Sequence, residues 1–294
     1  MGGEISEPLL VREATVADLP AVERLLEGAG YAYRGLGGAL REALREDLVL
    51  TAWRAGVLAG SVGIHRQGPE VAWIYALAVA EGASLKAVGP ALLAGLEAHL
   101  KPLGVAYLAY MDEGDLAWLR RLLGRAGFAR HTRVVGFEAR AGPPPAWGNP
   151  EVEVRPAGPS DLPDIARLDQ AAFGPLWGYG EHVFRSVLGT AALFLLAGWR
   201  GEVAGYILCT LHPERWAHIV RLAVAPAHQG RQVGVRLLAE AFTDLRARGV
   251  EWISLNTQEE NRRSQRLYRW FGFRPTGEKV EVWVKRLLGI VGSW

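Results

Sequence analysis

Apolar residues 220–225, VRLAVA, form a short run ended by Pro226, and this pattern predicts a strand. A turn follows over 227–232. Beyond it, Val233, Leu237, Leu238, Ala241, Phe242 and Leu245 recur at three- and four-residue steps, which predicts an amphipathic helix. Strand, glycine-bearing turn and helix in that order aim free backbone N–H groups at one point, and the helix dipole adds to them. The expected product is a cradle for an anion such as a phosphate or pyrophosphate.

The same alternation of elements occurs twice. Residues 11–25, VREATVADLPAVERL, match 154–168, VRPAGPSDLPDIARL, each a strand, a Ser/Thr-x-Asp-Leu-Pro helix start and an amphipathic helix. Further on, 55–64 answers 200–209, 72–80 answers 217–225, and 123–130 answers 268–275. The offset is 143 residues at the first match (11 to 154) and 145 at the last (127 to 272), which points to a duplicated domain rather than a solenoid. RAGPPPAWGNPE (140–151), with three successive prolines, reads as a semi-rigid linker. The expected division is a first domain at 1–141, a linker at 142–151 and a second domain at 152–294. Each domain is expected to be α/β (α+β), a central mixed, mostly antiparallel sheet flanked by helices.

Composition narrows the function. The 294 residues suffice for two domains, and 50% hydrophobic with 22% charged residues suits a globular protein. A net charge of +2 makes no electrostatic case for nucleic acid. The one cysteine, Cys209, excludes an internal disulfide, and its run GYILCT reads as buried packing. No apolar run reaches about 18 residues, so no transmembrane helix is expected. The start has no basic and apolar signal-peptide pattern, so a cytoplasmic location is expected; Gly2 and Ser6 fit only the loose pattern of N-terminal myristoylation. The seven histidines show no ligand spacing, and no metal is expected.

The run Gln229-Gly230-Arg231-Gln232-Val233-Gly234 and the segment Asn261 to Phe273, NRRSQRLYRWFGF, resemble the GNAT superfamily of N-acetyltransferases. The first is similar to the family's pyrophosphate-binding turn, with Gln232 where a middle glycine is usual. The second is similar to its N-x-x-[SA]-x-x-[LF]-Y-x-x-x-G-F signature at every key position. The resemblance covers about 152–285, and the first half joins it through the repeat alone.

The resemblance implies acetyl-CoA as co-substrate, held through the backbone of Gln229, Gly230, Arg231, Gln232, Val233 and Gly234. Leu222 and Val224 would pair with the pantetheine amides like an added strand. Tyr268 is either the acid that protonates the departing thiolate or a core aromatic beside Leu267, Trp270 and Phe271. Asn261 either contacts the cofactor, caps a helix or does both. His218 is a candidate base, with a structural role as its alternative; a β-bulge near it would turn its side chain. Asn256 stands where some relatives carry a glutamate and can orient water. Glu259 and Glu260 are nearby, as a second choice or as a solvated loop, and attack by an already neutral amine needs no base. Phe173, Trp177 and Tyr179 are expected to line the acceptor pocket.

In the first half the matching positions are Ser84, Leu85, Ala87, Gly89, Leu116 and Leu123, so its cofactor chemistry is expected to be absent. The reading is an N-acetyltransferase moving an acetyl group directly to an amine of a small molecule or a protein N-terminus. Its rival is a non-catalytic acyl-CoA-binding regulatory module. Neither nucleic acid nor membrane is an expected partner, and the chain is expected to be a monomer or homodimer.

Overall fold

The computed structural model describes residues 7–34, 48–114 and 116–289; Gly2 and Ser6 lie outside them. The chain divides into two compact units, one of residues 1–131 with 281–294, the other of 132–280.

In unit 1 the elements are β1 (Leu10–Glu13), α1 (Leu19–Gly28), β2 (Ala29–Arg34), β3 (Leu48–Arg54), β4 (Val57–Arg66) and β5 (Val71–Ala80). They are followed by α2 (Leu85–Leu100), β6 (Tyr107–Asp112) and α3 (Ala117–Arg125). Strand β7 (Ala129–Arg140) leads into unit 2, which holds β8 (Glu153–Pro156), α4 (Leu162–Trp177), α5 (Glu181–Leu188), β9 (Leu193–Trp199), β10 (Glu202–His212) and β11 (Trp216–Val224). It continues with α6 (Val233–Ala247), β12 (Trp252–Gln258) and α7 (Arg262–Trp270), and β13 (Arg274–Arg286) ends the series.

The repeated helix start has a physical basis in both units. Asp18 accepts from Thr15 N at 2.8 Å and is gripped by both Nη atoms of Arg12 at 2.8 Å. Asp161 accepts from Gly158 N at 2.8 Å and from Arg155 at 2.8 and 2.7 Å. These hydrogen bonds hold both carboxyl groups below the usual carboxylate range, with the arginine as the largest cause. Each Asp thereby ties the preceding strand to the first turn of its helix.

Within each unit the described strand pairs are antiparallel except for one, β5 with β6 in unit 1 and β11 with β12 in unit 2. In unit 2 alternate residues of β10 feed two cores. Ala204, Ile207 and Cys209 pack with Val233, Leu237, Leu238, Ala241, Phe242 and Leu245 of α6, the apolar face expected from the sequence. Tyr206 and Leu208 pack with Leu162, Ile165 and Leu168 of α4 and Phe184 of α5.

The unit boundaries differ from the expected 1–141 and 152–294. Val134–Arg140 of β7 pair antiparallel with β12, completing the sheet of unit 2. Glu281–Arg286 of β13 pair with β6, completing the sheet of unit 1. Each half of the sequence thus supplies the last strand of the other half's unit. The proline-rich segment is not a free spacer: Ala141 and Ala146 pack on the α6 core. A Cβ at Gly148 would lie 2.6 Å from Arg236 N and 2.8 Å from Gln232 O, so only glycine fits against the start of α6.

A fragment of residues 152–294 should therefore fail to fold, because β12 loses β7, one of its two neighbours. One of 132–280 should unfold cooperatively. Thermal melts followed by circular dichroism compare the two; a cooperative melt of 152–294 would contradict the pairing.

Candidate functional site

The site grows from one irregularity in β11. Leu208 of β10 pairs with Arg221, but Cys209 pairs with Ile219, so Val220 is an extra residue in the ladder, a β-bulge. On its other edge β11 pairs with β12 from Trp216↔Trp252 to Ile219↔Leu255. Among the described residues no strand pairs with that edge beyond Ile219. The two strands part at the bulge, leaving an open fork with Leu222 and Val224 on one arm and Asn256, exposed, on the other.

The turn from Gln229 to Gly234 closes the end of the β11 arm. Gly230 and Gln232 both have positive φ, +81° and +60°, and no side chain caps α6. The first N–H groups of a helix lack intrahelical acceptors, so those of Val233 and Gly234 stay available to an anion. The left-handed φ of Gln232 accounts for the glycine usual at this place; a side chain there costs about 1 kcal/mol. The Gln229 amide accepts from Arg263 Nη1 at 2.6 Å, tying α7 to the loop, while Arg231 is exposed with its guanidinium 5.9 Å from the Trp199 ring. A Cβ on Gly234 would meet only Leu267 and Val224, both at 3.5 Å, so its own surroundings leave room beside it.

Tyr268 is buried among Phe137 and Phe273, with ring centroids at 6.3 and 5.9 Å. Burial raises its phenol to about 12, against a smaller opposing effect of the Ser264 hydroxyl, so it keeps its proton at neutral pH. Asn261 caps α7, its Oδ1 accepting from Ser264 N at 3.1 Å. Glu259 is engaged by Lys279 at 3.2 Å, and Glu260 accepts from the Thr132 hydroxyl, so both are held on the loop.

His218 precedes the bulge. Its flanking residues Ala217 and Ile219 enter the α6 core, so its imidazole lies on the opposite face, with Nδ1 2.8 Å from Ser254 Oγ. Burial, with a smaller effect of His212, lowers its pKa to about 4; the ordinary value near 6.5 expected from the sequence does not hold here.

The three aromatic positions expected to line an acceptor pocket gather around Arg221. The Arg221 guanidinium lies 4.0 Å from the Phe173 ring centroid and 3.9 Å from that of Tyr179, and it donates to the Trp177 carbonyl. Its Nε and Nη2 reach Asp169 at 3.0 and 2.9 Å. Asp169 is fully buried and also accepts from Tyr179 N at 2.6 Å and from the Tyr206 hydroxyl. This latch fastens the chain after Gly174, where α4 breaks, to β11. Sequence reasoning missed Asp169, Arg221 and Tyr206. An acid beside Leu168 on an apolar helix face, and an arginine inside VRLAVA, were the available signals.

Residues 162–273 match the model of the acetyltransferase (GNAT) family. The matched stretch lies wholly within the second half. No curated protein matches the chain. Solved structures share the fold across nearly all of it. A GCN5-related N-acetyltransferase from Sphaerobacter thermophilus is 19% identical with TM-score 0.61, covering 97% of this chain and 98% of its own. A tandem GNAT protein from the clavulanic acid biosynthesis pathway is 17% identical with TM-score 0.58, covering 96% and 100%. A GCN5-related N-acetyltransferase from Kribbella flavida is 14% identical with TM-score 0.68, covering 97% and 72%.

Unit 1 contains the counterpart of this fork in a filled state. Gly63 pairs with Ala76 and Ile64 with Ile74, so Tyr75 is the bulge, and the β5–β6 ladder ends at Ile74↔Tyr110. Beyond it β2 pairs with Ala76–Ala80, and Tyr33 donates to the Met111 carbonyl of β6 at 2.9 Å. A Cβ on Gly89 would come within 2.8 Å of Leu122, so the space that is open beside Gly234 is occupied here.

Two outcomes follow. Asp169→Asn and Arg221→Met should each destabilise by about 3–5 kcal/mol, and the double variant by less than the sum, since each single change strands a buried partner; denaturant melts measure both. Unfolded His218 binds a proton below about 6.5 and the native one below about 4, so its contribution is whole above 6.5 and is lost as pH falls to 4. Melts at pH 7 and 4.5 should show a smaller acid loss for His218→Gln, by up to about 3 kcal/mol.

Proposed function

We propose that the chain is an acetyl-CoA-dependent N-acetyltransferase whose working site is the fork of unit 2, and that unit 1 is a duplicate without cofactor binding. The open fork ending at an uncapped helix carries this reading. Backbone groups of Leu222 and Val224 would pair with the pantetheine arm, and the N–H groups from Gln229 to Gly234 would take the pyrophosphate. This sets the thioester near the bulge, where the arms diverge. The acceptor nitrogen bonds to the carbonyl carbon, the C–S bond breaks, and the thiolate takes the Tyr268 proton.

Among the described residues the polar side chains of the two fork arms on the His218 face are His218, Ser254 and Asn256; the nearest carboxylates are Glu138 of β7, across from Ser254, and Asp169, which is bound to Arg221. An imidazole held neutral with so low a pKa does not strip an alkylammonium efficiently. It can take the proton that nitrogen sheds once bonded to carbon. The acceptor should therefore arrive neutral. An α-amine, with a pKa of about 8, meets this at neutral pH far better than a lysine side chain at about 10.4. That favours the α-amine of a small molecule or of a protein N-terminus. In unit 1, β2 fills the matching fork, which supports a structural role and a location in which no second acetyl-CoA binds.

Calorimetric titration of acetyl-CoA should give one site per chain, lost in Gly234→Asp and retained in Tyr268→Phe, with turnover in the latter falling about 100-fold. Binding without transfer to any amine panel would favour the regulatory acyl-CoA-binding module. Two sites would refute the reading of unit 1, and no binding would refute the proposal.

A further inference from the structure

Three contacts converge on the Ser254 hydroxyl. Trp216 Nε1 lies at 2.9 Å, His218 Nδ1 at 2.8 Å and the Ala217 carbonyl oxygen at 3.4 Å. A serine hydroxyl has one proton and two lone pairs, and an indole N–H can only donate. If the serine proton pointed to Nδ1, the 3.4 Å approach to the Ala217 carbonyl would carry no hydrogen bond. If it points to the Ala217 carbonyl, Nδ1 must carry a proton, and all three contacts become hydrogen bonds.

Resting on the acetyltransferase reading, we infer that Trp216 and Ser254 are positioning residues that hold His218 as its Nδ1–H tautomer, leaving the Nε2 lone pair as the base of acyl transfer. The parallel register places this trio at the neck of the fork: His218 is level with Ser254, one residue before the last pair, Ile219↔Leu255. Trp216 is fixed by stacking on Trp252, ring centroids 6.2 Å apart. The titratable and charged groups on the surrounding elements are His212 of β10, 3.0 Å from the Thr210 hydroxyl that lies across from His218; Glu138 of β7, across from Ser254; Asp169 of α4; and Arg221 of β11 itself.

In the step this serves, the proton on the newly acylated nitrogen passes to Nε2 and then to solvent, while Tyr268 supplies the thiolate proton and is reprotonated from solvent. Because Ser254 turns its proton away from the imidazole, the histidine does not activate it as a nucleophile. Acetyl transfer then runs in a ternary complex with no acyl-serine.

The test uses the full-length chain labelled with 15N-histidine, the His218 signal being identified by its loss in His218→Gln. Long-range proton–nitrogen spectra at pH 7.5 should show Nδ1 protonated and Nε2 bare. Ser254→Ala should leave acetyl-CoA affinity unchanged, shift the tautomer signals, lower kcat about ten-fold or more and alter the pH profile; Ser254→Thr should restore kcat. A protonated Nε2 with bare Nδ1, or a Ser254→Ala variant with unchanged kcat and pH profile, would overturn the assignment while leaving acetyl transfer intact. Failure to bind acetyl-CoA would overturn the underlying function, and full activity in His218→Gln would remove histidine as the base.

Discussion

The site depends on a single inserted residue. A parallel ladder that continued past Ile219 would satisfy the backbone of β11 on both edges and leave nothing for a ligand to pair with. Val220 interrupts the spacing, the two strands lose register, and the arm carrying Leu222 and Val224 is left with hydrogen-bonding capacity on one side. Everything else at the site is arranged around that break: the turn with two positive φ angles at its end, α6 aimed at it, and the histidine just before it.

The same break occurs in unit 1 with the opposite result. By the repeat offset of 145, residues 29–34 correspond to 174–179. The first segment pairs along β5 as a strand. The second is held by Asp169 and Arg221, through the Tyr179 amide and the Trp177 carbonyl. A buried ion pair contributes little net stability over an apolar substitute, but it fixes which of two dispositions the chain adopts. Phe173 and Tyr179 sandwich the guanidinium and so belong to this latch.

Much of this was legible from spacing. The buried face of α6, the two helix starts and the turn from Gln229 to Gly234 follow from local pattern, because each is decided by residues within a few positions of one another; the Arg–Asp brace at each helix start emerged only with the structure. Asn261 capping α7 is equally local. What was hidden depends on distant partners. Asp169 and Arg221 are 52 positions apart, and neither announces the other. Periodicity marks 129–140 and 274–286 as strands but says nothing about which sheet each enters, so the expected domain limits missed the exchange. The lowered pKa of His218 came from burial that only the assembled face creates.

The exchange of last strands also orders events in time. Tyr107–Asp112 find their partners at Glu281–Arg286, some of the most sequence-distant pairings in the chain. During synthesis the first unit can gather its hydrophobic residues early, but one edge of its sheet stays unsatisfied until almost the whole polypeptide has emerged. Closing so long a loop is slow, and an unpaired edge is the surface through which chains join wrongly. The two halves are therefore bound to a common fate: the older-made half matures only when the newer one is finished.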